Sequence, residues 1–507
     1  MTDSNQPRPA IYHVAAAIAV ALVVAMGRAA AARAAVEFDV RLDPATATHA
    51  VSGRLYVFLS RRPSGEPRDG PDWFAPEPFF GMDVKDFQPG TDRLLNDAAD
   101  GFPDRLSKLR PGRYRAQALL GHNPDRLSQS RAPGNQYSRV VDVEVAAGPV
   151  QTVSLVLDQL QPEKPFPDVP WVKEVSIRSG LLSQFLKREV LEKAAVTLPA
   201  GYDDHPQQRY PVIYEVTGFG GSYWDALHQR SPPTAAAGET DFIRVLLDGQ
   251  CDWGHHVYAD SATNGPRGRA LVEELVPEID RRFRTIAAPR GRLLAGHSSG
   301  GWSSLWLQVS HPEFFGGVWS SSPDPVDFRD FQRIDLYANP PLSMYYDEPG
   351  RPRPIARRGE TPVLFYPSFG RMDDVLGRGG QLRSFEAVFS PLDADGLPRK
   401  LWNRSTGRID PEVARAWEKY DIRLQLERNW KTLEPLLRGK LHITVGSLDT
   451  FYLDGAVLRL ADSLKRLGSD AEITIVPGAD HGTVLTSEYF HRVRRQMTAV
   501  ANATAAR

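Results

Sequence analysis

One cysteine, Cys251, stands in 507 residues. A lone cysteine excludes an intramolecular disulfide and any multi-cysteine zinc site, so stability has to come from packing. Excess charge of either sign is missing too: Lys+Arg 61 against Asp+Glu 62 leaves a formal net charge of -1. That balance supplies no overall basic field to attract a nucleic acid or an anionic membrane surface. No apolar run reaches the ~18–20 residues of a membrane-spanning helix. Internal repeats and low-complexity tracts are absent as well. With 24% charged and 41% hydrophobic residues the chain reads as globular. At ~100–200 residues per domain its length allows several domains, and the patterns below divide it into two unequal ones.

The apolar run from Val14 to Met26, VAAAIAVALVVAM, is thirteen residues long. As a helix it would reach only ~20 Å against a hydrocarbon core of ~30 Å, which suits the h-region of a signal peptide. Ala32-Arg33-Ala34 offers a small-residue cleavage site, and Arg8 precedes the run. The expectation is an exported protein, periplasmic or extracellular, whose residues 1–35 are a signal peptide; an uncleaved anchor is the alternative.

Residues 36–160 carry period-two apolar patterns in VEFDVRL, GRLYVFLS, GRYRAQALL, VVDVEV and VQTVSLVL, separated by Pro, Gly and Asp turns. They predict a small antiparallel all-β sandwich. The Pro-rich stretch Gln161 to Pro167 reads as a linker. From residue 170 to 507 the pattern changes to strands alternating with helices. PVIYEV, FIRVLL, RLLAG, GGVWSS, KLHITVG and AEITIV predict buried, mostly parallel strands. Helices are predicted over Arg267–Arg284, bent at Pro277, and at Trp302–Val309, Ala456–Leu467 and Ser487–Ala499. Such alternation gives a doubly wound α/β sheet with its sites at the carboxyl ends of the strands. One segment of about 323–438, rich in Pro, Arg and aromatics, is too long for an ordinary connection and is expected to form a lid-like insertion.

Gly296-His297-Ser298-Ser299-Gly300 follows a predicted strand and opens a predicted helix, the setting of a nucleophile elbow, where flanking glycines permit the sharp turn that exposes a serine hydroxyl. A serine needs a histidine to take its proton and a carboxylate to orient that histidine. His481, in PGADHGT after a late strand, is the candidate base; His491 falls inside the last predicted helix. Asp449, in the loop after LHITVG, is the preferred acid, with Asp324 and Asp454 as alternatives. Asp480 is too close in sequence to reach the imidazole of His481. Oxyanion donors are expected from the backbone N–H of Ser299 and, in the loop Thr217-Gly218-Phe219-Gly220-Gly221, from Phe219.

LPAGYDDH, RYPVIYEVTGFGGSYW, YADSATNGPRGRALVEELVPEIDRRFR and LLAGHSSGGWSSLWLQVSHPEFFGGVWSSSPD together resemble the putative esterase family of the α/β-hydrolase superfamily, the esterase D and enterochelin-esterase-like group. The resemblance spans about 170–325 and resumes at 440–500. It implies an α/β-hydrolase fold, serine-esterase activity, a triad on Ser298, Asp449 and His481, oxyanion donors on Phe219 and Ser299, and no cofactor. Two departures stand out: Thr217 occupies a position where many members have His, and compact members lack the 323–438 insertion.

Other residues carry less. Metal binding is not expected of His255-His256 with Asp252 and Asp260, because adjacent strand residues point to opposite faces. Cys251 reads as a buried small residue, and Trp302 and Trp306, four apart on a helix, as core. In the insertion, Trp402 and Arg404, with Arg371 and Arg408, are expected to build a substrate-binding wall that stacks a ring and pairs an anion.

These readings point to an exported serine esterase acting on a siderophore lactone, a feruloyl or acetyl polysaccharide, or a small ester, with acyl transfer to a sugar as a variant. A catalytically silent envelope or carbohydrate-binding protein is the alternative. No nucleic-acid partner is expected, nor a stable membrane span after cleavage.

Overall fold

The computed structural model describes residues 36–503. The apolar run and its cleavage site lie outside them. The first strand, Val36–Leu42, turns Val36, Phe38, Val40 and Leu42 inward. It lies antiparallel to Asp92–Leu95 and parallel to Gln151–Leu157. A second sheet runs in the order Gln159–Leu160, Gln136–Tyr137, Gly112–Gly121, Val51–Ser60, Phe79–Phe87, Asp100–Phe102, with Val141–Val145 also on Gly112–Gly121. The expected antiparallel arrangement is thus corrected in one place: the first strand of this region and Gln151–Leu157 run side by side in the same direction.

Strand Val51–Ser60 explains its own apolar run. Leu55, Val57 and Leu59 face the core between the two β sheets, while Tyr56 and Phe58 join the core of the rest of the chain. The strand is therefore buried on both faces over Arg54 to Ser60.

The large sheet has eight strands: β1 Val172–Arg178, β2 Leu191–Thr197, β3 Val212–Val216, β4 Ile243–Leu247, β5 Arg292–His297, β6 Gly317–Ser321, β7 Leu441–Gly446 and β8 Glu472–Val476. Their spatial order is β1-β2-β4-β3-β5-β6-β7-β8. From β4 to β8 every neighbouring pair is parallel, and only β2 pairs antiparallel, with β1 and with β4. A parallel sheet with crossovers brings the carboxyl ends of β3, β5, β7 and β8 to one edge.

The helix read at 267–284 is Arg267–Ala270 and Val276–Arg282 joined by a π turn over Leu271–Leu275. Pro277 has no N–H to give to an earlier carbonyl, and the wide turn immediately before it absorbs the misfit that a bend was expected to absorb. The segment between β6 and β7 holds a hairpin, Pro354–Arg358 with Thr361–Phe365, and the helices Tyr366–Leu376, Gln381–Phe389, Pro411–Trp417 and Ile422–Leu437. Its last helix packs on Ser299–Ser310 and serves as the crossover that two parallel neighbours require. The insertion proper thus ends before Ile422, short of the 438 read from the sequence.

Candidate active site

Ser298 stands between β5 and the helix Ser299–Ser310 with φ 61 and ψ -127, a conformation that costs energy in any non-glycine residue. Its backbone is held on both sides: Ser298 N donates to Ser321 O at 3.0 Å, and Ser298 O accepts from Trp302 N at 3.0 Å and Asp324 N at 3.3 Å. The flanking glycines are steric necessities. A Cβ on Gly296 would lie 2.1 Å from Gly300 O, and one on Gly300 2.0 Å from Val216 O.

The loops after β7 and β8 meet through Leu448 N to Ala479 O at 2.9 Å. A Cβ on Gly446 would lie 2.2 Å from that same carbonyl oxygen. This approach sets His481 Nδ1 2.8 Å from Asp449 Oδ2. Asp449 is 0% exposed, and its other oxygen accepts from Phe451 N at 2.9 Å and Leu453 N at 3.4 Å. An acceptor at Nδ1 assigns the proton to that nitrogen and leaves Nε2 as the accepting atom. The imidazole is gripped on both sides: Phe451 stands edge-on at 4.9 Å and His297 tilts against it at 4.5 Å. Burial, then the neighbouring His481, lowers His297 to about 4, so it stays neutral and offers no second cation.

The other two candidate acids have different partners. Asp454 accepts from Arg357 Nη2 at 2.7 Å, and Arg357 Nε also donates to Asp449 O at 2.9 Å, so an insertion arginine braces the acid loop. Asp324 accepts from Ser299 Oγ at 2.6 Å and is raised by burial to about 6. Asp480 is occupied by Gly482 N and Thr483 N.

Opposite the elbow, a Cβ on Gly218 would come within 3.5 Å of Ser298 Cβ, so the backbone entering Phe219 passes directly against Ser298. Thr217 O accepts from His255 Nε2 at 2.9 Å, while His255 Nδ1 accepts from Val257 N at 3.0 Å. Burial lowers His255 to about 4. A buried neutral imidazole thus supports the loop that carries Phe219. His256 is likewise buried and bonded to Asp248 O at 3.2 Å; Asp252 pairs with Arg378 at 2.9 Å. Among the described residues no group of three or more His, Cys, Asp or Glu is placed to hold a metal ion. Cys251 is buried, its thiol pushed up to about 12 by that burial. Trp302 and Trp306 stack on each other at 5.3 Å within the core.

Ser298 and His481 open on a cavity of about 300 Å³, lined also by Gly218, Phe219, His297, Asp324 and Gln381. Its apolar wall comes from Phe369, Phe385, Leu382, Ile355 and Leu364 of the insertion, from Phe451, and from Trp73 of the N-terminal β region. Trp402 and Arg404, expected in this wall, are not part of it. Trp402 is 2% exposed beneath Tyr345. Arg404 lies over the Trp402 ring and pairs with Asp374 at 2.9 Å and Glu386 at 2.7 Å. Arg371 donates to Gly101 O at 3.0 Å across the boundary with the β region. Trp402, Arg404 and Arg371 thus serve as core and braces, and the insertion reaches the cavity through Phe369, Phe385, Leu382, Ile355, Leu364 and Gln381.

The family described as "Putative esterase" matches residues 183–482. The chain belongs to that family, and its eight-stranded, mostly parallel sheet has the α/β-hydrolase fold, preceded by a β-rich region. An endo-1,4-beta-xylanase/feruloyl esterase of Xylanibacter ruminicola is 30% identical over 141 residues, which are 25% of this chain and 19% of that protein. The chain thus spans about a fifth of the length of this curated relative. Among solved structures, a ferulic acid esterase is 12% identical with a TM-score of 0.41, covering 65% of this chain and 98% of its own. A CE1 ferulic acid esterase from Anaeromyces mucronatus, in complex with ferulic acid, is 15% identical with a TM-score of 0.35, covering 67% and 95%.

Proposed function

We propose that the protein is an exported serine esterase that works through an acyl-enzyme on Ser298 and accepts an ester with a flat, largely apolar acyl group. The observation that carries this reading is the 2.8 Å contact of His481 Nδ1 with a fully buried Asp449, on a cavity that Ser298 shares. His481 Nε2 takes the proton as Ser298 Oγ attacks the acyl carbonyl, and Asp449 stabilises the resulting imidazolium. The N–H groups of Phe219 and Ser299 receive the oxyanion. Collapse of the tetrahedral intermediate expels the alcohol, protonated by His481, and a water molecule repeats the sequence to free the acid.

The acyl preference follows from cavity size and lining. A volume of about 300 Å³ stands at the lower end of ligand pockets, ~300–1,000 Å³, and aromatic rings dominate its wall. A hydroxycinnamoyl group fits such a slot, in keeping with the feruloyl esterase named among the relatives; the alcohol, a sugar or polysaccharide, would remain outside. A panel of 4-nitrophenyl acyl esters, feruloyl sugars, acetylated xylan and a catecholate trilactone tests the assignment. The reading expects the feruloyl compounds to give the highest kcat/KM, and fails if they are not turned over.

Export rests on the apolar run Val14 to Met26 and the small residues after it. Among the described residues no helix is long and apolar enough to cross a membrane. N-terminal sequencing of the mature protein is expected to begin near Ala35; a chain that starts at Met1 and pellets with membranes would favour the anchor.

A further inference from the structure

Of the residues lining the catalytic cavity, Trp73 alone comes from the N-terminal β region. It lies on the segment between strands Val51–Ser60 and Phe79–Phe87, on a turn closed by Asp72, whose Oδ1 accepts from Phe74 N at 2.8 Å and Ala75 N at 3.0 Å. The turn aims the indole away from its own sandwich. Around it stand three rings from three separate parts of the site: Phe219 of the oxyanion loop at 5.7 Å, Phe369 of the insertion at 5.0 Å and 84°, and Phe451 of the acid loop at 6.2 Å and 85°. Phe451 in turn touches His481. Trp73 therefore reaches the catalytic machinery from another part of the fold.

The support beneath it is firm. Helix Tyr366–Leu376 carries Phe369, and its last turn is tied to the β region. Arg54 donates to Val375 O from Nε at 3.0 Å and from Nη2 at 2.8 Å, and Tyr56 OH donates to Leu376 O at 2.6 Å. Arg54 is itself held by Asp83 at 3.0 Å and Asp100 at 2.6 Å. Tyr56, Phe58, Phe79 and Phe102 complete an apolar seam with the insertion. The Phe369 helix is thus fixed to the β region, and Trp73 meets it there ring to ring.

We propose that Trp73 selects the acyl group: its indole is the face against which a flat aromatic acyl chain packs, which makes the β region a working part of the acyl site. This inference rests on the serine-esterase reading above. A ring stacked on an indole gains dispersion and quadrupole attraction that an acetyl group is too small to collect. The selection therefore shows in a comparison of two esters and not in either alone.

The experiment uses the full chain, with Trp73→Ala and Trp73→Phe compared to wild type on 4-nitrophenyl acetate and on the 4-nitrophenyl ester of a hydroxycinnamic acid. Trp73→Ala is expected to lower kcat/KM for the aromatic ester by roughly tenfold or more beyond its effect on the acetate. Trp73→Phe, which keeps a ring, should recover most of the lost ratio, and recovery separates stacking from a damaged fold. Equal losses on both esters, or an unchanged ratio, overturn the proposal. So does a wild-type enzyme that cleaves the acetate but not the aromatic ester, in which case the acyl preference proposed above falls with it while the acyl-enzyme on Ser298 stands. Should Ser298→Ala hydrolyse the acetate as fast as wild type, the underlying reading itself fails, and this proposal with it.

Discussion

Three carboxylates lie close together at the catalytic edge of the sheet, and their partners give them different roles. Asp449 is buried and takes two backbone N–H groups on one oxygen and His481 on the other. Asp454 is already neutralised by Arg357. Asp324 has only the Ser299 hydroxyl and a protonation midpoint raised to about 6 by burial. Asp449→Asn should accordingly lower kcat by about 10³–10⁴ through loss of the correct imidazole tautomer, while Asp324→Asn should cost less than tenfold; steady-state kinetics on one ester compares them. The reverse ranking would move the acid to the loop after β6. Strand, turn and helix signals bracket Ser298 and His481, which is why the sequence singles them out, and the structure sets both on one cavity. Asp449 was the preferred acid from its place after LHITVG and is the carboxylate beside His481 Nδ1; what a sequence does not show is which carboxylate receives the N–H groups of its own loop. The assignment of Trp402 and Arg404 to the wall erred for a related reason: Arg404 finds Asp374 and Glu386 only after the insertion folds.

At the scale of elements, the elbow works because a strand, a strained residue and a helix are compressed into a space with no room for side chains. Gly300→Ala puts a methyl group 2.0 Å from the carbonyl oxygen of Val216, at the end of β3, where backbone cannot retreat without breaking the sheet. It is expected to destabilise by about 2–4 kcal/mol, measured as a fall in the chemical-denaturation midpoint; an unchanged midpoint would mean that the elbow is looser than the geometry requires. The core strands β3 to β7 were legible as apolar runs because helices cover both faces. Strands β1 and β2 escaped notice: VKEVSIR and LEKAAVT have neither a continuous apolar run nor a clean period of two, and they lie at the antiparallel end of the sheet. Strands Phe79–Phe87, Asp92–Leu95 and Asp100–Phe102 were missed for want of a clear period. The insertion was recognised by its length alone, and its final helix is ordinary crossover structure.

For the whole molecule, the seam between the β region and the rest does more than join them. It closes one side of the cavity at Ser298 with Trp73, a residue the sequence does not single out. On another side it forms a cleft of about 540 Å³, lined by Asn123, Arg126, Glu192, Asp248 and Arg267 among others. Glu192 is buried there, with Oε2 lacking a partner among the described residues, and burial raises its carboxyl to about 8. The folded protein then keeps a proton that the unfolded chain releases near ~4.5. This group's contribution is fully present below the unfolded value and is lost as pH rises towards 8. Glu192→Gln, which does not titrate, should therefore be more stable than wild type by about 1–3 kcal/mol at pH 8. The difference should shrink towards pH 5, read as paired thermal melts. A variant equally or less stable at pH 8 would show that a cation, such as nearby Arg267, already compensates the charge.

Every step proposed above passes through Ser298 as the residue that carries the acyl group. Intact-mass and peptide mapping after treatment with a fluorophosphonate, on wild type and on Ser298→Ala, tests this most directly. A single adduct on the peptide containing Ser298, absent from the variant together with a loss of roughly 10⁵–10⁶ in kcat at an unchanged melting profile, is the predicted result. An adduct on another serine, or a Ser298→Ala enzyme that retains most of its ester hydrolysis, would contradict it.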